Sequence, residues 1–142
     1  QMKDTVLWNI EQGQSLTGPE VGRAQQKRTT LFRKTIQFFE KYDFLIAPVS
    51  QVPPFSVEKP FVSEIDGVEM ETYIDWMKSC YFITATGMPA ISMPAGFTSE
   101  GLPVGIQIVG GFRKDRSVLE IAKAFEVRTN VASQLPNVLS AD

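Results

Sequence analysis

Between Gly87 and Gly111 lie two apolar runs, Ala90–Phe97 and Leu102–Val109, split by the small polar break Thr98-Ser99-Glu100-Gly101. Two such runs around a short turn predict an antiparallel hairpin. Proline and glycine recur inside it, at Pro89, Pro94, Gly96, Pro103 and Gly105. A central strand excludes proline, which has no N–H to give the ladder, and glycine inside a strand marks a bulge or a close backbone approach. The pair of strands is therefore expected to leave room for a neighbour, or to sit at a sheet margin.

The rest of the chain has to build a core around that hairpin. At 142 residues it is long enough for one domain and too short for two ordinary ones. Apolar residues make up 43% and charged residues 21%, which excludes a disordered chain. Net charge is −2 and no basic tract is present, so nucleic acid is not an expected partner. The Lys and Arg residues from Arg23 to Lys41 read as the solvated face of a helix. Cys80 is the only cysteine, which fits a reducing, cytoplasmic setting. Histidine is absent, and with it Ser-His-Asp and Cys-His catalysis and the usual zinc sites. No acidic cluster resembles a calcium loop. We expect no metal and no cofactor. The longest uncharged stretch, Ser79–Ser99, holds two prolines and two glycines, so no membrane-spanning helix is expected there. The chain opens on Gln1 without a secretion signal, and is expected to be a processed product or a fragment of something larger.

Local signals then set the elements. Residues 1–16 are mixed, with Val6-Leu7-Trp8 apolar and Asn9 to Ser15 polar. Thr17-Gly18-Pro19-Glu20 is a helix start, with a hydroxyl cap, an early proline and a glutamate three residues on. That helix is expected to run to about Lys41. Phe44–Val49 reads as a buried strand stopped near Pro48. Ser50–Met70 reads as a long loop with a short hairpin at Asp66-Gly67, and loops of that length often serve as lids or partner contacts. A helix is expected over Thr72–Thr86, ended by Gly87. A last helix, Arg116–Asn130, is expected with Asp115 as its cap, and the final dozen residues are expected to fray.

The hairpin residues, from Thr86-Gly87-Met88-Pro89-Ala90-Ile91-Ser92 through Leu102-Pro103-Val104-Gly105-Ile106-Gln107-Ile108-Val109-Gly110, resemble the carboxy-terminal part of amidase-signature hydrolases. Trp8–Gly13 ahead of the long helix and Tyr42–Pro48 after it resemble the same family in the same order. The resemblance covers nearly the whole chain. It implies a partial amidase-signature fold: α/β, a mixed sheet with an antiparallel hairpin, packed by helices. It also implies hydrolysis of carboxylic amide C–N bonds by a Ser–Ser–Lys triad, with backbone N–H groups stabilising the oxyanion.

In the family, those catalytic parts lie in a Gly/Ser-rich signature in the amino-terminal half. This sequence has no such stretch, Gly110-Gly111 being its only glycine pair, so no catalytic residue is assigned. Lys78-Ser79 is no substitute, because adjacent helical residues do not face each other. The chain alone is expected to be inactive, contributing instead to a cavity for a small-molecule amide. Tyr73, Trp76, Cys80 and Thr84 share one face of the Thr72–Thr86 helix and are the candidate substrate-binding residues. Thr84 stands where the family often carries asparagine. Gln107, a strong hydrogen-bonder in an apolar strand, is expected to hold a neighbouring loop or to face solvent.

Two other readings stay open. One is a non-catalytic interaction or scaffold module using the Pro53–Asp66 loop. The other is a segment of a glutamyl-tRNA amidotransferase A-type subunit, whose ammonia acceptor is charged transfer RNA. A partial sheet exposes edges and apolar faces, so a homo-oligomer is expected.

Overall fold

The computed structural model describes residues 2–134. The two apolar runs form β4 (Ala90–Phe97) and β5 (Pro103–Gly110), paired antiparallel. Strand β1 (Phe44–Pro48) pairs antiparallel with the other side of β5, giving the order β1-β5-β4. The α/β architecture with its hairpin is as expected. Both pairings in this sheet are antiparallel, and no parallel pair occurs among the described strands.

The prolines and glycines explain themselves in this register. Gly110 N–H donates to Pro89 O, so by strand alternation the backbone groups of Pro94 face away from β5. Its missing N–H therefore costs the ladder nothing. Between Pro94 and Gly96 the register shifts by one residue, a bulge with Ala95 as the extra residue. In the central strand glycine serves close packing. A Cβ at Gly110 would come within 2.5 Å of Val118 Cγ2, so α4 (Asp115–Thr129) lies directly on the end of β5.

Helix α4 covers β4 and β5 on one face of the sheet. There Met93, Ile108 and Ala122 form the core, with Phe44, Ile91, Ile106, Ile121 and Phe125 packed against it. On the other face lie α2 (Gly18–Phe38) and α3 (Lys78–Thr86), which pack against each other. Lys34, Thr35, Phe38 and Phe39 share a cleft there with Leu45, Ile83 and Val109. Ile108 and Val109 point to opposite faces and are each 1% exposed, so both faces of β5 are covered.

Helix starts and stops follow local chemistry. At the start of α2 the Glu20 carboxylate accepts from Thr17 N–H at 2.8 Å and Thr17 Oγ1 at 2.7 Å. The backbone N–H bond, then the hydroxyl bond, hold its pKa below the usual carboxylate range. Helix α3 ends as expected on Gly87 in the left-handed region (φ 72°). The Asp66-Gly67 turn, with φ 50° and 76°, joins β2 (Glu64–Ile65) to β3 (Val68–Glu69), the short hairpin expected.

Residues 1–16 read only as mixed, and within them residues 4–14 form helix α1 (Asp4–Gln14), each of its residues exposed. Three expectations need correction. Helix α2 stops at Phe38, short of Lys41. Asp115 is the first residue of α4, and Lys114 takes the cap position without a side-chain bond. The Thr72–Thr86 helix is broken: a turn at Tyr73-Ile74, a 3₁₀ turn Asp75–Met77, then α3. Of the last dozen residues, Val131–Ser133 form a 3₁₀ turn beside β4, while 135–142 lie outside the described residues.

Candidate functional site

The segment leaving β1 and the segment entering α3 are tied together by side chains. Gln107, 5% exposed in the centre of β5, donates from Nε2 to Pro48 O and to Ser79 O, both at 2.9 Å. Ser79 Oγ and Cys80 Sγ donate to Val49 O at 3.2 and 3.0 Å. Ser79 N–H, in the first turn of α3, donates to Gln51 Oε1 at 3.3 Å. Gln107 is thus buried and, rather than holding a loop or facing solvent, ties the last residue of β1 to the first turn of α3. The physical reason is plain: a buried amide needs partners, and these two carbonyls accept from it.

A second cluster fixes the turn before α3. Asp75 Oδ2 accepts from Thr72 N–H at 2.8 Å and from Thr72 Oγ1, 2.6 Å away, while Lys78 Nζ lies 3.1 Å from Oδ1. The Thr72 hydroxyl, then Lys78, then the Thr72 N–H, lower the Asp75 pKa. Thr72-x-x-Asp75 is a cap signal readable in the sequence, and sequence reasoning passed over it. The pair replaces regular helix with a tight turn and so sets where Trp76 points.

These ties frame an apolar cavity of about 510 Å³. Its walls are the β1 exit from Pro48 to Phe55, Trp76, Ala95 of the bulge, and Pro103–Ile106 of β5. None of the lining residues is charged. Phe55 and Trp76 meet edge-to-face at 5.3 Å, and Tyr73 meets Trp76 likewise at 6.2 Å. The Trp76 indole N–H is shielded and has no hydrogen-bond partner among the described residues. The proline- and glycine-bearing strands do leave room here: Ala95, Pro103 and Gly105 present little or no side chain to this space.

The four candidate residues separate. Trp76 lines this cavity. Tyr73 lines a second one, about 520 Å³, between its turn and Thr5, Val6, Trp8 and Asn9 of α1. Cys80 is committed to Val49 O, and Thr84 is exposed on α3. A break at 73–77 rotates Tyr73 and Trp76 off the face they would share with Cys80 and Thr84 on a continuous helix. Sequence reasoning missed the loop half of the cavity, notably Phe55. Lys78 and Ser79 also part company, one on Asp75 and the other on Val49 O. No lysine–serine pair is bonded among the described residues.

The sequence profile of the Amidase family matches residues 1–119. The chain belongs to the amidase-signature family. It is 32% identical over 137 residues to an acylamidase of Rhodococcus erythropolis, a match covering 96% of this chain and 28% of that enzyme. It is 36% identical over 118 residues to the A-type subunit of the glutamyl-tRNA(Gln) amidotransferase of Listeria welshimeri, covering 82% of this chain and 23% of that protein. Among solved structures, a bacterial aryl acylamidase of the amidase signature family superposes with TM-score 0.79 at 28% identity, over 90% of this chain and 26% of that one. A 6-aminohexanoate cyclic dimer hydrolase shares the fold at TM-score 0.78 and 20% identity. This amidase-signature chain spans about a quarter of the length of the relatives it matches.

Proposed function

We propose that this chain is the carboxy-terminal part of an amidase-signature hydrolase that cleaves carboxylic amide C–N bonds. The Ser–Ser–Lys machinery belongs to the remainder of the fold, and the chain alone is inactive. Its own contribution is the apolar cavity, with Trp76 and Phe55 as walls for the organic part of an amide and Tyr73 supporting Trp76. The observation that carries this reading is the uncharged lining of that cavity. Burying an apolar group there is favourable, at about 25 cal/mol per Å² of apolar surface removed from water. Cys80 supports the wall through its bond to Val49 O, while Thr84 lies outside this lining.

Identity with the Listeria protein favours the amidotransferase reading. The cavity argues for an uncharged amide, since a charged amino-acid substrate needs a counter-charge and this lining offers none. The setting is proposed to be cytoplasmic; no helix among the described residues is long and apolar enough to cross a membrane. Exposed apolar side chains on α1 (Val6, Leu7, Trp8, Ile10) favour self-association, and a homo-oligomer is proposed.

The test has two arms. The purified chain is assayed on a simple aryl amide, where serine-dependent hydrolysis by the chain alone overturns its assigned inactivity. A chimera is then made in which this chain replaces the matching segment of the Rhodococcus acylamidase. Hydrolysis by the chimera, weakened by Trp76→Ala through KM, is expected; a folded but inactive chimera refutes the amidase reading.

A further inference from the structure

We propose that the second cavity, between α1 and the turn ahead of α3, binds a small organic cation: an ammonium group carried on an aromatic or aliphatic body. It shares no lining residue with the uncharged cavity assigned above to the amide, so the two sites stand or fall separately. Its volume, about 520 Å³, is that of a small-molecule site.

Two carboxylates and no basic side chain line this space. Asp4 opens α1, and Glu71 precedes the turn held by Thr72 and Asp75. Neither forms an ion pair among the described residues. Lys78, the basic residue of that turn, is committed to Asp75 at 3.1 Å, and Lys3, next to Asp4 in the chain, lies outside the lining. Like charges around one cavity raise the local concentration of cations. A metal ion is the poorer occupant. No group of three metal-ligating side chains occurs among the described residues, and two carboxylates with apolar walls leave most of an ion's coordination unfilled.

The remaining walls suit both the charge and the body of an organic ammonium. Trp8, Phe61 and Tyr73 bring three aromatic rings from three segments: α1, the long loop and the turn. Phe61 and Tyr73 meet edge-to-face with centroids 6.2 Å apart, so each ring steadies the other. The face of an aromatic ring is negative and attracts a cation, most strongly in tryptophan. Val6 and Ile74 add aliphatic surface, and with Trp8 and Tyr73 each is more than a third exposed, so these walls are bare. Leu7 and Ile10, the other exposed apolar residues of α1, lie outside the lining, so association of copies through them does not require this space. The Thr72–Asp75 bonds fix the backbone between Glu71 and Tyr73, holding a charged wall and an aromatic wall in place before a ligand arrives. Tyr73 in turn touches Trp76, a wall of the uncharged cavity, edge-to-face at 6.2 Å.

The probe is phenethylammonium, compared with phenethyl alcohol, its neutral counterpart, in the purified chain and in the acylamidase chimera. Calorimetry reads affinity. Trp76→Phe leaves Trp8 as the only tryptophan of the chain, and its fluorescence locates the probe. The ammonium is expected to bind saturably, at least about 10-fold tighter than the alcohol, with added salt narrowing the difference. Asp4→Asn combined with Glu71→Gln keeps the shape of the walls and is expected to abolish that preference while leaving binding of the alcohol unchanged. Trp8→Ala, with helicity checked by circular dichroism, is expected to weaken both probes. Equal affinities, a preference that survives the double substitution, binding that leaves Trp8 fluorescence unmoved, or no saturable binding to either protein overturns the proposal. Binding by the free chain that is lost in a folded chimera also overturns it, because the remainder of the protein then fills the cavity. An active chimera that ignores the probe overturns this site alone. A chimera that binds the probe through these residues but hydrolyses nothing supports the site and removes the amidase reading.

Discussion

Replacing Gln107 with alanine removes the one side chain that ties β5 to both the β1 exit and the start of α3. Its Nε2 makes two bonds of 2.9 Å, to Pro48 O and Ser79 O, from a position 5% exposed. Each such bond is worth about 1 kcal/mol net, and a carbonyl left buried without a donor costs about 1–3 kcal/mol. Pro48 is an exposed residue, so water replaces the amide there and the loss lies near the lower figure. Ser79 is half-buried and its carbonyl keeps more of the penalty. The sum is about 2–4 kcal/mol, a large share of the total stability of a domain this size. The assay is urea unfolding followed by far-ultraviolet circular dichroism, reading a lower midpoint at unchanged m-value. A second variant separates hydrogen bonding from packing. Gln107→Glu keeps the shape but, when ionised, turns an acceptor towards two carbonyls. It should be less stable than Gln107→Ala at pH 7 and recover on acidification, when the carboxyl gains an O–H. A midpoint for Gln107→Ala within experimental error of the unsubstituted chain, or a Glu variant indifferent to pH, refutes the reasoning.

Three further outcomes follow from the same structure. Gly110→Ala places a methyl 2.5 Å from Val118 Cγ2, on a stiff β-branched neighbour, and should cost about 1–3 kcal/mol by overpacking; Val118→Ala in the same chain should restore part of it in a double-mutant cycle. Asp75 has its pKa lowered by Thr72 and Lys78, so its ionised form favours the folded state. That contribution is complete above the ordinary carboxylate value of about 4 and is lost as pH falls through the lower folded value; tryptophan fluorescence should report a loosened 72–78 turn in that window, and Asp75→Asn should abolish the transition. Gly87→Ala puts a side chain at φ 72° and should destabilise by about 1 kcal/mol or slightly more, measured by thermal unfolding.

The paired strands, the Asp66-Gly67 turn and the stop at Gly87 were all legible in advance because each rests on a residue type with few backbone options. The family resemblance rested on the hairpin together with Trp8–Gly13 and Tyr42–Pro48. Helix α1 was only weakly legible: Val6, Leu7 and Ile10 fall at helical spacing, but no capping side chain marks its start. The break at residues 73–77 was half legible, since Thr72-x-x-Asp75 announces a cap, but periodicity across Tyr73, Trp76 and Cys80 mimicked one continuous helix. The candidate site suffered from that error directly. A shift of a single turn moved Tyr73 to another cavity and left Cys80 bonded to Val49 O.

The sequence by itself determined the two hairpins, where proline and glycine are tolerated, and that no histidine-based or Gly/Ser-signature chemistry resides in these residues; the pairing of β1 with β5 came from the fold. The former are set by single residues and near neighbours. Only the tertiary structure decided that Gln107 reaches carbonyls 59 and 28 positions away, that Phe55 from the loop faces Trp76, and that α1 shares a cavity with Glu71 and Tyr73. Those depend on which elements the fold lays side by side, and hydrogen bonding and burial between distant segments leave no local period in the chain.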